Sequence, residues 1–251
     1  MVRVKDMTKN TENKQSGPRK TYVVSDIHGC SDKYKALFRK IALRPEDRLY
    51  VLGDVVDRGP DGPKILLDMM SRENVIFLLG NHDEAMQLVL RDLRGNDPLL
   101  LRDEGTLEVL DAWLSDGGVP TLMQFDRELT KREQNLVLRY IRKARKYALL
   151  EINGTKHLLA HSIPAYGDYI LDNGIEGLDS MDFCFNDTDY DTCYDPDVIM
   201  VSGHSPTGLI DKAYAGRILK RNNHIAIDCG AVFGYPLGCI CLETGEEIYV
   251  E

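Results

Sequence analysis

TYVVSDIHG, residues 21–29, joins a run of β-prone residues to a loop that carries a carboxylate and an imidazole. The run is typical of a short strand, and the loop begins where that strand ends. Asp26 and His28 are one residue apart, so in an extended segment their side chains point the same way and can reach one metal ion. The stretch therefore predicts a strand that carries two metal ligands at its carboxyl end.

Later segments repeat this context of an apolar run followed by a polar loop. They read GDVVDRG at 53–59, GNHD at 80–83, AHS at 160–162 and GHS at 203–205. Because the carboxyl ends of sheet strands are the usual binding edge in α/β folds, we expect these loops to converge. Their imidazole, carboxylate and amide groups suit two divalent metals, which can direct a metal-bound hydroxide at a phosphate ester.

The bulk composition is that of an ordinary globular protein. The chain has 251 residues, of which 43% are hydrophobic and 28% charged, and this is compatible with one large domain. No apolar run approaches a membrane span, and residues 1–20 lack a signal-peptide core, so a cytoplasmic location without membrane contact is expected. The net charge of −9 argues against nucleic-acid binding. The six cysteines form no CxxC pair, which favours free thiols.

The pattern along the chain divides it into a tail and one domain. Residues 1–20 show no periodicity and are predicted to form a mobile tail, with a single domain at 21–251. Up to residue 79, short apolar runs alternate with helical patterns, and Ser31-Asp32 is a predicted helix cap. This alternation favours a buried sheet with crossover helices.

The second half of the chain changes its pattern twice. Residues 84–146 carry helical spacing, broken at Gly117-Gly118 and Pro120, and are predicted to be a helical insertion. From Tyr147 onward the chain is β-rich, and Asn153-Gly154 is a strong hairpin signal. We therefore predict an α/β fold.

The remaining candidate ligands follow from the chemistry of two adjacent cations. Asp54 can bridge two metals with its two oxygens, which matters because divalent ions repel each other unless an anion lies between them. Asn81 offers a neutral oxygen, and His161 and His204 offer imidazoles for the second metal. This donor mixture favours Mn²⁺, Fe or Zn²⁺ over Mg²⁺. Two other histidines lie inside strand patterns and are expected to be structural: His157 and His224.

SDIHG, GDVVDRG and GNHD resemble the three signature motifs of the phosphoprotein phosphatase branch of the calcineurin-like metallophosphoesterases. The two later histidines and residues 228–233 (DCGAVF) are similar to further segments of this family. Residues 113–118 (WLSDGG) are similar to a segment of its bacterial members, the bacterial serine/threonine phosphatases. The resemblance covers most of the chain from residue 21 to residue 250. It implies a β-sandwich of two mixed sheets flanked by helices, here with the helical insertion.

The resemblance also implies a binuclear metal centre, with manganese the first choice of metal. The implied ligands of the first metal are Asp26, His28 and Asp54. Those of the second metal are Asp54, Asn81, His161 and His204. His82 is then the general acid, and Asp57 hydrogen-bonds His82 and keeps it cationic. Arg58 binds the phosphate oxygens together with Asn81.

The sequence departs from the family pattern at two places. Ser25 stands where a glycine is usual, a small change that is expected to be tolerated. The family normally places a second phosphate-binding arginine between the late histidines, but residues 162–203 contain no Arg or Lys, and 168–197 contain ten acidic residues. Arg217 and Arg221 are candidate replacements, with a surface role as the alternative. The acidic stretch either overhangs the site and disfavours very acidic substrates or is a solvated loop.

These observations predict a metal-dependent phosphomonoesterase, with a protein serine/threonine phosphatase as the first interpretation. A metal-bridging hydroxide attacks phosphorus and His82 protonates the leaving oxygen. One alternative is a nucleotide or dinucleoside polyphosphate phosphatase. Asp57 speaks against the symmetrical dinucleoside tetraphosphatases, in which this aspartate is typically lost. An alternative of another class is a catalytically silent metal-binding interaction module, which would need neither His82 nor Asp57.

Overall fold

Two five-stranded sheets form the centre of the computed structural model, which describes residues 17–94, 104–164 and 174–251. The strands are β1 Thr21–Val24, β2 Arg48–Leu52, β3 Val75–Leu78, β4 Tyr147–Ile152, β5 Thr155–Ala160, β6 Val198–Ser202, β7 Leu219–Arg221, β8 His224–Ala226, β9 Leu237–Cys241 and β10 Glu247–Val250. The α-helices are α1 Ser31–Ile41, α2 Gly62–Met70, α3 Asn81–Arg94, α4 Glu104–Trp113, α5 Val119–Arg127, α6 Lys131–Arg142, α7 Ser180–Cys184 and α8 Thr207–Ile210. Short 3₁₀ turns occupy Ile175–Gly177, Lys212–Tyr214 and Ala231–Phe233.

Both sheets mix parallel and antiparallel pairs. The first has the order β10-β9-β1-β2-β3, in which β1, β2 and β3 are parallel and β9 and β10 are antiparallel to their neighbours. The second has the order β4-β5-β6-β8-β7, in which β5, β6 and β8 are parallel. The loops that follow the parallel strands of each sheet therefore leave from one edge of that sheet.

The two sheets pack face to face. Val23 and Leu52 of the first sheet share one buried cluster with Leu159 and Val201 of the second. Side chains alternate along a strand, so Tyr22 and its like-facing neighbours belong instead to the cluster that contains α1 and α2. The predicted fold, two mixed sheets flanked by helices, is confirmed.

The crossover helices lie where their spacing predicts them, but one capping detail was wrong. α1 begins at Ser31 without a side-chain cap. The Ser31 hydroxyl instead donates to the Asp61 carboxylate across 2.6 Å. The Ser31 hydroxyl, which was predicted to cap the helix, is thus engaged by a carboxylate 30 residues away.

The helical region breaks where expected but continues after the break. Gly117 has φ of 99° inside the π-helical turn Leu114–Gly118, and this ends α4. Pro120 then lies in the first turn of α5, a position that helices tolerate, so the helix resumes instead of ending. Helical spacing was predicted to continue to residue 146, but α6 ends at Arg142, since the Arg145 carbonyl accepts a hydrogen bond from the Leu79 amide across 2.8 Å.

The β-rich half contains the predicted hairpin and one strand that the sequence did not suggest. Asn153 and Gly154 have φ of 51° and 79° between β4 and β5. β7, Leu219–Arg221, is a short edge strand. Two of its three residues are charged, so the sequence lacks the apolar run that is typical of a strand. The predicted tail falls mostly on residues 1–16, outside the described residues, and the division into a tail and one domain stays a prediction.

Candidate active site

The ends of β1, β2 and β5 bring four predicted metal ligands within a few ångströms of one another. Asp54 Oδ2 lies 3.4 Å from His161 Nε2 and 3.6 Å from His28 Nε2. Asp26 belongs to the same group, since its carboxylate lies within 4.8 Å of the nearest donor atoms of Asp54 and His161. The structure therefore places Asp54 between two sets of donors, as a bridging carboxylate requires.

The ends of β3 and β6 add the amide and the last imidazole. Asn81 Oδ1 lies 2.8 Å from His161 Nε2 and 3.1 Å from His204 Nδ1. The two imidazoles approach each other to 3.2 Å. All six predicted ligands thus meet at one edge of the paired sheets.

Backbone carbonyls orient two of the imidazoles. His28 Nδ1 donates to the Val56 carbonyl across 2.8 Å, and His161 Nδ1 donates to the Leu52 carbonyl across 2.7 Å. With Nδ1 bound to a carbonyl, Nε2 is the nitrogen that each imidazole directs toward Asp54. Hydrogen bonds of this kind are typical of metal-binding histidines.

Asp26 has one oxygen with protein partners and one without. Its Oδ2 accepts hydrogen bonds from the Ser25 hydroxyl and, across 3.1 Å, from the His204 amide. Its Oδ1 is buried and has no hydrogen-bond partner. A buried carboxylate oxygen with no partner costs free energy, so the atom fits a metal ligand. Ser25, the departure from the family glycine, adds a donor to Asp26.

Buried carboxylates crowd this edge. Burial, followed by the neighbouring charge of Asp54, raises the pKa of Asp26 to about 6 and that of Asp83 to about 8. Burial and the charge of Asp26 also raise the pKa of Asp228 well above its ordinary value. Several carboxylates held together away from water are stable when cations lie among them. The donor set therefore fits divalent ions.

Asp83 supports this loop in a way that the sequence did not reveal. Its carboxylate accepts hydrogen bonds from the backbone amides of Asp54 at 2.7 Å, Val55 at 3.1 Å and Val56 at 3.3 Å. In the sequence, its position in the GNHD motif was the feature that could have indicated this role. Asp83 thus fixes the backbone of the loop that carries Asp54.

Backbone strain is concentrated at the same edge. Six non-glycine site residues have positive φ, between 43° and 69°: Asp26, His28, Asp54, Asp57, Arg58 and His204. Such conformations cost free energy for residues with a Cβ and often occur at functional sites. Gly80 and Gly203 permit the close approach, since an added Cβ would collide with Asp54 and Asp26 respectively.

His82 lies among three carboxylates, and Asp116 Oδ2 is 3.5 Å from its Nε2. Its Nδ1 donates to Asp57 Oδ2 across 2.8 Å, and its Nε2 lies 3.9 Å from Asp54 Oδ2. Burial alone would lower the pKa of His82, but the charges of Asp54 and Asp57 outweigh burial and raise it. The arrangement holds a proton on the ring and directs Nε2 toward the predicted metal ligands.

Two residues from the helical region hold Asp57. Trp113 Nε1 donates to Asp57 Oδ2 across 2.8 Å, and the Asp57 amide donates to Thr121 Oγ1 across 2.8 Å. The similarity of residues 113–118 to a family segment was the signal for this contact. The predicted insertion therefore contributes directly to the site.

The guanidinium of Arg58 lies beside the predicted metal ligands. Its Nη1 lies 2.7 Å from His28 Nε2, and its Nη2 donates to Asp116 Oδ1 across 3.3 Å. Its Cζ lies 5.5 Å from the centre of the Phe233 ring, within the range of a cation–π contact. A guanidinium in this position can bind an anion at the metal ligands.

Arg221, one candidate for the second phosphate-binding arginine, is engaged at the surface. It pairs with Asp191 across 2.7 Å and with Asp211 across 2.8 Å. The other candidate, Arg217, is exposed. His157 and His224 hydrogen-bond to the backbone carbonyls of Thr155 and Thr192, as structural residues do.

Part of the acidic stretch falls outside the described residues, at 168–173. Its described part packs beside His161, because Ser162 donates its amide to the Phe183 carbonyl across 2.7 Å. The exposed Asp187 lies close enough to His204 to raise its pKa, although burial and His161 together lower that pKa to about 4. The stretch therefore borders the site on the His204 side.

The family model of the calcineurin-like phosphoesterases matches residues 19–230. The chain belongs to this family. Membership, together with the clustered donors, implies that this phosphoesterase uses divalent metal ions; the six predicted ligands, the crowded carboxylates and the bare Asp26 oxygen all fit that requirement. No helix in the described parts of the chain combines the length and apolar character of a membrane span.

Curated relatives of this phosphoesterase include symmetrical bis(5'-nucleosyl)-tetraphosphatases. The protein of Pectobacterium atrosepticum is 40% identical over 80 residues, which cover 31% of this chain and 28% of the relative. That of Pseudomonas fluorescens is 33% identical over 138 residues, which cover 51% of this chain and 46% of the relative. The matches thus span less than half of each relative's length. The names of these relatives correspond to the alternative interpretation of the sequence, not to the first one.

Solved structures extend the likeness over nearly the whole fold. A protein serine/threonine phosphatase from Saccharomyces cerevisiae superposes with a TM-score of 0.59 at 15% sequence identity, covering 95% of this chain and 81% of the other. At this identity the similarity shows the fold alone.

Proposed function

We propose that this calcineurin-like phosphoesterase hydrolyses nucleotide substrates, with dinucleoside polyphosphates as the leading class. The observation that carries the proposal is the contact of Arg58 with the exposed ring of Phe233, across 5.5 Å. It places a phosphate-binding cation beside an aromatic surface on which a base can stack. The names of the curated relatives support the same substrate class.

We assign the metals to the strand-end residues. Asp26, His28 and Asp54 would hold one ion, and Asp54, Asn81, His161 and His204 the other. When bound, the ions supply Lewis acidity toward the phosphoryl oxygens and activate water at neutral pH. Asp54 belongs to both sets of residues, and the backbone contacts of His28 and His161 direct each Nε2 toward it.

The remaining residues act on the substrate. Arg58 and Asn81 hold oxygens of the phosphate under attack. Water adds to phosphorus, the bond to the bridging oxygen breaks, and the leaving group takes its proton from His82 Nε2; the proton that the attacking water releases passes to solvent, which restores the protonated His82. Asp57, fixed by Trp113 and Thr121, holds Nδ1 so that Nε2 carries the transferable proton.

A substrate panel with Mn²⁺ tests this proposal. Diadenosine tetraphosphate, ATP, a phosphoserine peptide and an aryl phosphate are compared by kcat/KM. We expect diadenosine tetraphosphate to be hydrolysed most efficiently, and the sole formation of ADP from it would show symmetrical cleavage. Efficient turnover of the peptide with no turnover of the nucleotides would contradict the proposal.

A protein serine/threonine phosphatase is the second candidate, favoured by the pairing of His82 with Asp57. A serine alkoxide is a poor leaving group and needs a proton donor, whereas a polyphosphate leaving group is stable without one. The 2.8 Å contact and the raised pKa of His82 provide such a donor. A silent metal-binding module, the candidate of another class, would show no turnover of any substrate in the panel.

A further inference from the structure

A cleft of about 570 Å³ lies between the loops that follow β6 and β8. This volume falls within the range of small-molecule pockets, roughly 300–1,000 Å³. The apolar side chains of its lining include Pro206, Leu209, Ala215, Phe233 and Tyr235. The cleft is thus large enough for a ring system and lined with groups that would contact one.

The cleft adjoins the active site through Phe233. This residue lines the cleft and also lies 5.5 Å from Arg58 Cζ. Pro206, another lining residue, lies two residues after His204, so this part of the lining also begins beside the predicted metal ligands. A substrate bound by Arg58 can therefore extend directly into the cleft.

Glycines keep the cleft open. Gly216 has φ of 76°, and a Cβ there would meet Tyr235 Cδ1 at 2.9 Å. Gly230 has φ of 82°, and a Cβ there would meet Tyr235 Cδ2 at 3.2 Å. Side chains at these two positions would crowd the Tyr235 ring, so the glycines allow this ring to take its place in the lining of the cleft.

The charge of the lining also indicates the occupant. Lys212 lines the cleft, and the residues recorded around the cleft include no carboxylate. The neighbouring Asp211 is turned to Arg221, with which it pairs across 2.8 Å. A cation in an apolar wall suits an aromatic group that is attached to phosphates.

We propose that this cleft binds the base of a nucleotide whose phosphate is held by Arg58, with the base against Phe233 and Tyr235. The inference rests on the proposed function and identifies the part of the molecule that recognises the nucleoside. An aromatic side chain of a phosphopeptide is the competing occupant.

Binding measurements on the metal-loaded full-length protein separate the base from the phosphate. AMP and inorganic phosphate are titrated into the wild type by calorimetry, each with Mn²⁺ present. We expect AMP to bind at least about fivefold more tightly than phosphate, the lower end of what base stacking contributes. Ala215→Trp fills the cleft from an exposed position and should remove this difference while leaving phosphate binding unchanged.

Two further variants keep the test decisive. Leu209→Ala shortens a residue that is 83% exposed, so folding is preserved even if Ala215→Trp is unstable, and AMP binding should weaken several-fold. Leu149→Ala, an exposed leucine of β4, is the matched control and should change nothing. A phosphotyrosine peptide, measured alongside, should not outcompete AMP.

The outcomes distinguish the cleft from the proposed function. Equal affinities of the wild type for AMP and phosphate, equal AMP affinities of the wild type and the cleft variants, or displacement of AMP by the peptide would overturn the inference. Hydrolysis of diadenosine tetraphosphate in those cases would leave the proposed function standing. Cleft-dependent AMP binding without hydrolysis of any nucleotide in the panel would reject the proposed function and retain the base site.

Discussion

At the strand ends, Asp26, Asp54 and His161 are at most 2% exposed, whereas Leu209 and Phe233 in the adjoining cleft are 83% and 58% exposed. The first group is fixed by buried strands, strained backbone and backbone hydrogen bonds. The second lies on short turns and a one-turn helix at the surface. The difference indicates that, under the proposed function, the chemistry uses fixed positions, whereas the substrate is recognised by exposed residues of the cleft, which can be substituted more freely.

Removing the charge of the shared carboxylate should have the largest effect. Asp54→Asn keeps the size of the side chain but removes the anion between the two predicted metal sites. The affinity for both metal ions should therefore fall, and activity should fall to background. Metal content by elemental analysis and kcat with an aryl phosphate check this. Asp191→Asn, at an exposed surface aspartate, is the control and should retain both metals. Full activity in Asp54→Asn would place the reaction elsewhere.

His82→Asn should keep both metals and lose roughly 10²–10⁴-fold in kcat, the usual contribution of a general acid. The loss should be smallest for substrates whose leaving group is stable without a proton, such as an aryl phosphate with a strongly acidic phenol. Steady-state kinetics over a series of aryl phosphates measures this dependence. If the variant loses a metal instead, His82 is a ligand, as its position in the group with His28 and Asp54 would allow.

Arg58→Ala should weaken substrate binding and lower kcat, by about 1.5–3 kcal/mol in kcat/KM, because a charge-assisted contact to phosphate is lost. Arg221→Ala removes an arginine that is paired with surface aspartates and should leave kinetics unchanged. The pair of variants also tests Arg221 as the replacement for the missing second arginine. A loss in Arg221→Ala as large as that in Arg58→Ala would show that Arg221 binds phosphate.

Removing one exposed charge of the acidic stretch should have the smallest effect. Asp187→Asn removes an exposed charge near His204 and should raise kcat/KM for a polyphosphate about two- to fivefold at low salt, since surface charges act weakly. The gain should fade as salt screens the charge. Asp197→Asn, in the same stretch, is the matched control. An increase that is independent of salt would reject the electrostatic explanation.

The sequence predicted the residues at the strand ends far better than those of the cleft. Asp26, Asp54 and His161 each follow an apolar run, a local pattern that fixes where a side chain emerges from a sheet. The cleft depends on the proximity of residues far apart in the chain, such as Leu209 and Tyr235, and no local pattern encodes that. The contact of Trp113 with Asp57 has the same origin, since it joins a helix to a strand end 56 residues away.

Counting the metal ions in the wild-type protein tests the central claim most directly. The claim is that the strand ends form a binuclear centre that shares Asp54. Full-length protein saturated with Mn²⁺ and freed of excess metal should contain two ions per chain by elemental analysis, and anomalous diffraction should locate one on each side of Asp54. One ion per chain, or none, under saturating Mn²⁺ would contradict the account.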